Sequence, residues 1–197
     1  MPYVKRDGSR IRGTVLYEPG SGRYDRTRLQ RLFDDGISLA LASMLTCEDR
    51  YVEHAGAWLR RWFLEPESRM NPHLRYARVR MGHNRNEGLG RGIIETKDWY
   101  YYLDAVRIIE KFGVLTASES RDFRHWLAEY LAWLRKSAQG LAECRFPNHH
   151  GIHYDLQVAS IASFLNDDEE LCRALIRAKE RMPDHFSPNG VQYVSAT

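Results

Sequence analysis

The sequence predicts an all-α fold assembled from antiparallel helix pairs. Apolar residues recur at spacings of three and four through most of the chain, helix-start and helix-stop signals punctuate those runs, and no strand-like alternation of comparable length competes with them. The connections between successive helical runs are short, which favours antiparallel neighbours.

Residues 1–24 hold Gly8, Gly13, Pro19, Gly20 and Gly22 without sustained periodicity and read as a loop-rich arm ahead of a single helical domain over 25–197. The first stripe is Leu29, Leu32, Phe33, Ile37 and Leu41, and the second is Val52, Ala55, Leu59, Trp62 and Phe63. Thr46 and Asp49 lie in the turn between them, where a helix would start. A long link from Glu65 to Thr96 follows, rich in Pro and Gly, and connections of that length inside compact domains are often functional. Asn71, His73, Arg75, Tyr76 and Arg91 are its candidate ligand contacts; the alternative is a solvated connector pinned by Met70 and Leu74.

A third helix is expected from about Lys97 to Phe112, burying Leu103, Val106 and Ile109 and stopping at Gly113. Its aromatic run Trp99-Tyr100-Tyr101-Tyr102 would face all directions, so most of it should be packing. Thr116 and Glu119 form a capping-box pattern ahead of the clearest stripe, Phe123, Trp126, Leu127, Tyr130, Leu131 and Leu134, which is expected to end near Gly140. Two more helices should run from about His153 to Leu165 and from Asp168 to Arg181.

Composition narrows the function class. Hydrophobic residues at 43% and charged residues at 28% describe an ordinary globular domain of 197 residues with enough chain for a sizeable core. No stretch is long and apolar enough to span a bilayer as a helix, and PYVKRDGSR after Met1 lacks a signal peptide's hydrophobic region, so the chain as written would stay in the cytoplasm. Cys47, Cys144 and Cys172 are widely spaced, which indicates buried free thiols rather than a disulfide framework or zinc ribbon. The basic residues are mostly arginines, whose guanidinium forks suit carboxylates and phosphates alike.

The densest chemistry is Asn148-His149-His150-Gly151, an amide and two imidazoles side by side at a helix start. Cleaving an acidic polysaccharide by β-elimination requires neutralising a uronate carboxylate, removing the adjacent C5 proton and protonating the departing oxygen. Amide or imidazole donors suit the first task, an imidazole titrating near neutrality suits the second, and a phenol or water commonly serves the third. Zinc ligation by His149, His150 and His153 with Asp155 nearby, as in a metal-dependent hydrolase, is the metal alternative; adjacent positions diverge on a helix, but 150 and 153 could share a face.

Three ordered segments then carry a family resemblance: PYVKRDG at 2–8; Trp62-Phe63, Met70-Asn71-Pro72 and Gly90-Arg91-Gly92-Ile93-Ile94 within 59–96; and the His-rich run with its trailing Tyr154-Asp155-Leu156-Gln157. Together they resemble the alginate lyases, polysaccharide lyases built on an α/α toroid. The resemblance implies His150 as the base, with Asn148 and His149 neutralising the carboxylate; His149 stands where the family has asparagine, and His153 where it usually has tryptophan. It further implies substrate contacts at Arg75, Tyr76, Arg91, Asn71 and Tyr154, although a ring packed in the core with its hydroxyl on a backbone group is the commoner fate of such a tyrosine. No metal or other cofactor, no nucleic acid and no membrane is implied, only an acidic polysaccharide such as alginate, met in the periplasm or outside the cell.

After Asn189-Gly190-Val191-Gln192 the family continues into an arginine and then a catalytic tyrosine, whereas this sequence stops at Thr197, with Tyr193 a weak substitute. An incomplete toroid is therefore expected, with apolar faces that favour self-association. A catalytically inactive relative that binds acidic polysaccharide is the competing reading.

Overall fold

A computed structural model describes residues 24–79 and 82–191. The loop-rich arm, save Tyr24, and the residues from Gln192 onward lie outside the described residues, as does Arg80. Among the described residues there are seven α-helices and no strand: α1 (Asp25–Thr46), α2 (Asp49–Leu59), α3 (Trp99–Lys111), α4 (Ala117–Lys136), α5 (Ala138–Cys144), α6 (His149–Leu165) and α7 (Asp168–His185). Two-residue links fold α2 back onto α1 and α7 back onto α6, and α6 touches α3, α4, α5 and α7.

Helix α1 buries Leu29, Leu32, Phe33, Gly36, Ala40 and Ser43, while Leu41, expected in the core, is 46% exposed. The buried face passes through small residues because α1 lies close against α3; Gly36 sits on the ring of Tyr102. A stripe read from large apolar side chains alone drifts off that face. Helix α2 buries Val52, Ala55 and Leu59, and a π-helical turn, Arg60–Leu64, carries Phe63 into the core.

Trp99 and Tyr102 of α3 are fully buried, Tyr101 is half-buried with its hydroxyl on Asp34, and Tyr100 is exposed. The aromatic run is therefore divided by helix geometry, as its four directions require. All six expected residues of α4 are buried, and its capping box is complete: Thr116 Oγ1 accepts from Glu119 N–H and Glu119 Oε2 accepts from Thr116 N–H. Phe63 contacts Trp99, Tyr102, Phe123 and Trp126 at ring-centroid separations of 4.8–6.1 Å, joining three helices in one aromatic cluster.

Two elements differ from expectation. The chain does not stop at Gly140: Ser137 ends α4 and caps α5, its hydroxyl accepting from Gly140 N–H at 2.9 Å. Helix α6 starts at His149 rather than near His153, because Asn148 Oδ1 accepts from His150 N–H at 3.0 Å and so caps the first turn. Helix α7 runs on to His185 with Pro183 in its last turn. The three cysteines are free, but Cys47 and Cys172 are exposed rather than buried because they fall on the outer faces of their elements.

The described part of the link from Glu65 to Thr96 is a loop ending in a 3₁₀ turn, Gly90–Thr96. Trp126 Nε1 donates to Met70 O at 2.9 Å, and Gly88 and Gly92 close around Ala77 so tightly that a Cβ on either would fall within 2.5 Å of it. Nothing bulkier than glycine fits there. The loop thus returns to lay Arg91 beside the start of α6.

Candidate active site at the start of α6

His150 and Glu143 form the centre of the site. The two are brought together by the four-residue link Arg145–Asn148, which turns the chain from the end of α5 into α6. His150 Nδ1 lies 2.6 Å from Glu143 Oε1; the histidine side chain keeps 11% exposure and the carboxylate is enclosed. Nε2 makes no hydrogen bond to a described residue. Glu143 Oε2 is enclosed with no hydrogen-bond partner among the described residues.

The turn between the helices is locked from behind. Arg181 on α7 donates to the carbonyls of Phe146, at 3.0 Å, and Cys144, while its Nε donates to Asp155 at 2.7 Å. Arg177 holds the other oxygen of Asp155. Gly151 sits against this clamp, where a Cβ would meet Phe146 O at 2.2 Å and the Arg181 guanidinium at 2.7 Å.

The run Tyr154-Asp155-Leu156-Gln157 bolts α6 to its neighbours. Tyr154 donates to Leu134 O on α4 at 3.2 Å, Asp155 binds α7, and Gln157 accepts from Thr96 Oγ1 at 2.6 Å and donates to Ile93 O at 3.3 Å. Tyr154 is 3% exposed with the Arg177 guanidinium over its ring, so the substrate contact expected of it gives way to packing. Asp155, the carboxylate that the zinc alternative needed, is turned away from the histidines by Arg177 and Arg181.

On the open side, His149 is exposed with its ring 4.7 Å from that of His150 and 6.3 Å from that of His153. Asn148 uses Oδ1 for the helix cap and makes no hydrogen bond through Nδ2 among the described residues. Arg91 is exposed, lies 5.1 Å over the Phe146 ring, and has no ion-pair partner among the described residues. Arg78 is paired with Glu95 at 2.9 Å, and Lys97 with Asp98.

These cations act on the histidines. Burial, then the charges of Arg78 and Arg91, hold His150 below the ordinary imidazole range. Burial, then Lys97 and His149, do the same to His153, whose Nδ1 is enclosed and unpartnered. Burial pushes the Glu143 carboxyl up to about 7 despite the opposing pull of Arg78 and Arg91. A neutral imidazole with one nitrogen engaged and a rim of cationic and amide donors is equipped to take a proton from an anionic substrate.

Of the loop residues expected to touch substrate, the structure brings Arg91 to the histidines. Arg75 is paired with Glu87 at 2.6 Å, Tyr76 packs near His73 and Arg75, and Asn71 is exposed; none of these three contacts the cluster. Glu143, Arg78 and Lys97 were not singled out in the sequence. Glu143 precedes His150 by seven residues across a helix break, so no periodicity links them. A shallow depression of about 270 Å³ between α3 and α6, lined by Tyr100, Arg107 and Ser160, lies elsewhere; Ala159 on its wall is roughly 14 Å along α6 from His150.

An all-α arrangement of antiparallel helix pairs, with imidazole, amide and guanidinium groups gathered at the start of α6, is the fold class of the α/α-toroid polysaccharide lyases. Residues 1–195 match the family model described as Alginate lyase, and the chain belongs to that family. It is similar to a solved structure, the crystal structure of an alginate lyase from Bacteroides ovatus, with a TM-score of 0.83 and 26% identity, covering 93% of this chain and 48% of that one. The chain therefore spans about half the length of that relative. No curated protein matches it.

Proposed function

We propose that the site at the start of α6 cleaves alginate or a related polyuronate by β-elimination. His150 takes the C5 proton through the nitrogen that Glu143 leaves free. Asn148 Nδ2 and His149 donate to the uronate carboxylate, which makes that proton acidic, and Arg91 anchors the same or a neighbouring uronate with Arg78 and Lys97 adding positive field. The electron pair of the C5–H bond becomes the C4–C5 double bond as the C4–O bond breaks. The departing oxygen takes its proton from water or a phenol; Tyr154 is not that phenol, because its hydroxyl is buried and donated to Leu134 O.

The observation that carries this reading is a nearly enclosed imidazole, tied at Nδ1, beside a guanidinium that has no carboxylate of its own among the described residues. Asn71, Arg75 and Tyr76 belong in the proposal only as contacts to sugars further along the chain. The reading includes action in the periplasm or outside the cell, where such polymers are met; fractionation of the source cells tests it.

Mass spectrometry of products from purified protein and alginate tests the chemistry. Oligouronates with an unsaturated non-reducing end are expected. Saturated products would mean hydrolysis, and calorimetric binding without products would mean a binding protein; either overturns the proposal.

A further inference from the structure

We propose that Glu143 is a positioning residue that fixes where the proton sits on His150, holding the ring as its Nδ1–H form so that Nε2 faces the substrate as the acceptor. This rests on the β-elimination reading of the site and adds to it a residue outside the substrate contacts. The geometry is specific: Oε1 is 2.6 Å from Nδ1, Glu143 is fully enclosed, and Oε2 has no hydrogen-bond partner among the described residues. A carboxylate in such a position is poorly solvated, and among the described residues its one hydrogen-bond donor is the imidazole.

The two groups titrate as a unit. Above neutrality the carboxylate accepts from Nδ1–H and Nε2 carries the lone pair. When the pair takes up one proton, two placements satisfy the short hydrogen bond: an imidazolium facing a carboxylate, or a carboxylic acid donating to Nδ1 with the ring proton moved to Nε2. Both block Nε2. A proton on Oε2 would leave the base free, but it would have no acceptor in the enclosed site. Lyase activity should therefore fall as pH drops through the uptake of that single proton, which burial of Glu143 moves up from the ordinary carboxylate range.

Other charged and titratable groups face the pair, and His153, one turn further along α6, is itself lowered in part by His150. Arg78 and Arg91 from the long loop favour the deprotonated pair, while Glu95, paired to Arg78, opposes them; His149 of α6 acts with the arginines on Glu143. From α7, Arg181 is bound to Asp155 and to the carbonyls of the turn.

Nitrogen-15 NMR of the His150 ring, assigned with His150→Gln and followed together with rate against pH, tests the proposal. At pH 8 the wild type should show Nδ1 protonated and Nε2 bare. Glu143→Gln keeps the volume and one hydrogen bond without the anion, so the acid limb of kcat should move down by about one pH unit or more. Glu143→Ala should release the ring to the Nε2–H form and lower kcat by about 10²–10⁴-fold with KM little changed. Should the alanine variant fail to fold, the glutamine variant and the wild-type spectrum decide. A wild-type ring protonated at Nε2 at pH 8, or an acid limb unmoved in Glu143→Gln, overturns the assignment. If the wild type turns over no polyuronate, the lyase reading fails, and the spectrum alone still reports whether Glu143 sets the tautomer.

Discussion

At the scale of single residues, the candidate site is a division between groups left open to a ligand and groups that hold those groups still. Arg91 faces outward, stacked on Phe146 and without a carboxylate partner among the described residues, so its charge is available to a ligand. Arg91→Ala is expected to raise KM by about tenfold, the loss of one charged hydrogen bond, with a smaller effect on kcat; steady-state kinetics on oligouronates checks it, and an unchanged KM would remove Arg91 from the site. Tyr154 is the opposite case. Tyr154→Phe should leave kcat unaltered and cost about 1 kcal/mol in thermal unfolding, one buried hydrogen bond. His150, Asn148 and Arg91 could be singled out as candidates in the sequence because each sits in a short motif, and the structure sets them near one another at the start of α6. Tyr154 was misplaced because a tyrosine beside a base histidine looks the same in sequence whether its ring points to the cleft or to Leu134. Glu143 was invisible, being a lone acid on a short helix that only the fold brings to the imidazole.

At the scale of elements, the helices that present the site are fixed by polar contacts at their ends as much as by their apolar faces. The capping box of α4 also receives Arg60, whose Nε lies 2.5 Å from Glu119 Oε1, so the end of α2 and the start of α4 share one carboxylate. The Arg60 hydrogen bond, then the Thr116 backbone N–H, lower the Glu119 pKa from 4.5 to about 2. A depressed carboxyl stabilises the fold fully above its unfolded value and loses that contribution as pH falls through the folded one. Stability should therefore drop between about pH 4.5 and 2, and Glu119→Gln should flatten that part of the curve in urea titrations; an identical acid dependence in the variant would show that the contact contributes nothing. The stripe of α4 and its cap were legible because both repeat at helical spacing. Helix α5 was not, since Gly140 reads as a stop and seven residues show too little periodicity. The face of α1 was only half legible, because Gly36, Ala40 and Ser43 are buried for closeness rather than for hydrophobicity.

At the scale of the whole molecule, the all-α toroid arrangement was legible from periodicity and from three ordered motifs. Leu175, Ile176 and Met182 of α7, and Leu41, Met44 and Leu45 of α1, are nevertheless exposed. Apolar surface of this kind favours association, so sedimentation velocity is expected to show concentration-dependent oligomers of this chain, reduced by Leu175→Gln with Ile176→Gln; a monomer at all concentrations would contradict that expectation. The central claim is that an imidazole at position 150 removes a proton from a uronate. It is tested most directly by following the ultraviolet absorbance of the unsaturated product from wild type and His150→Ala across pH 5 to 9. A rise is expected with wild type on polyuronate, with a rate at least about 100-fold lower in the variant; an equal rise from both proteins, or none from correctly folded wild type, would rule out His150 as the base.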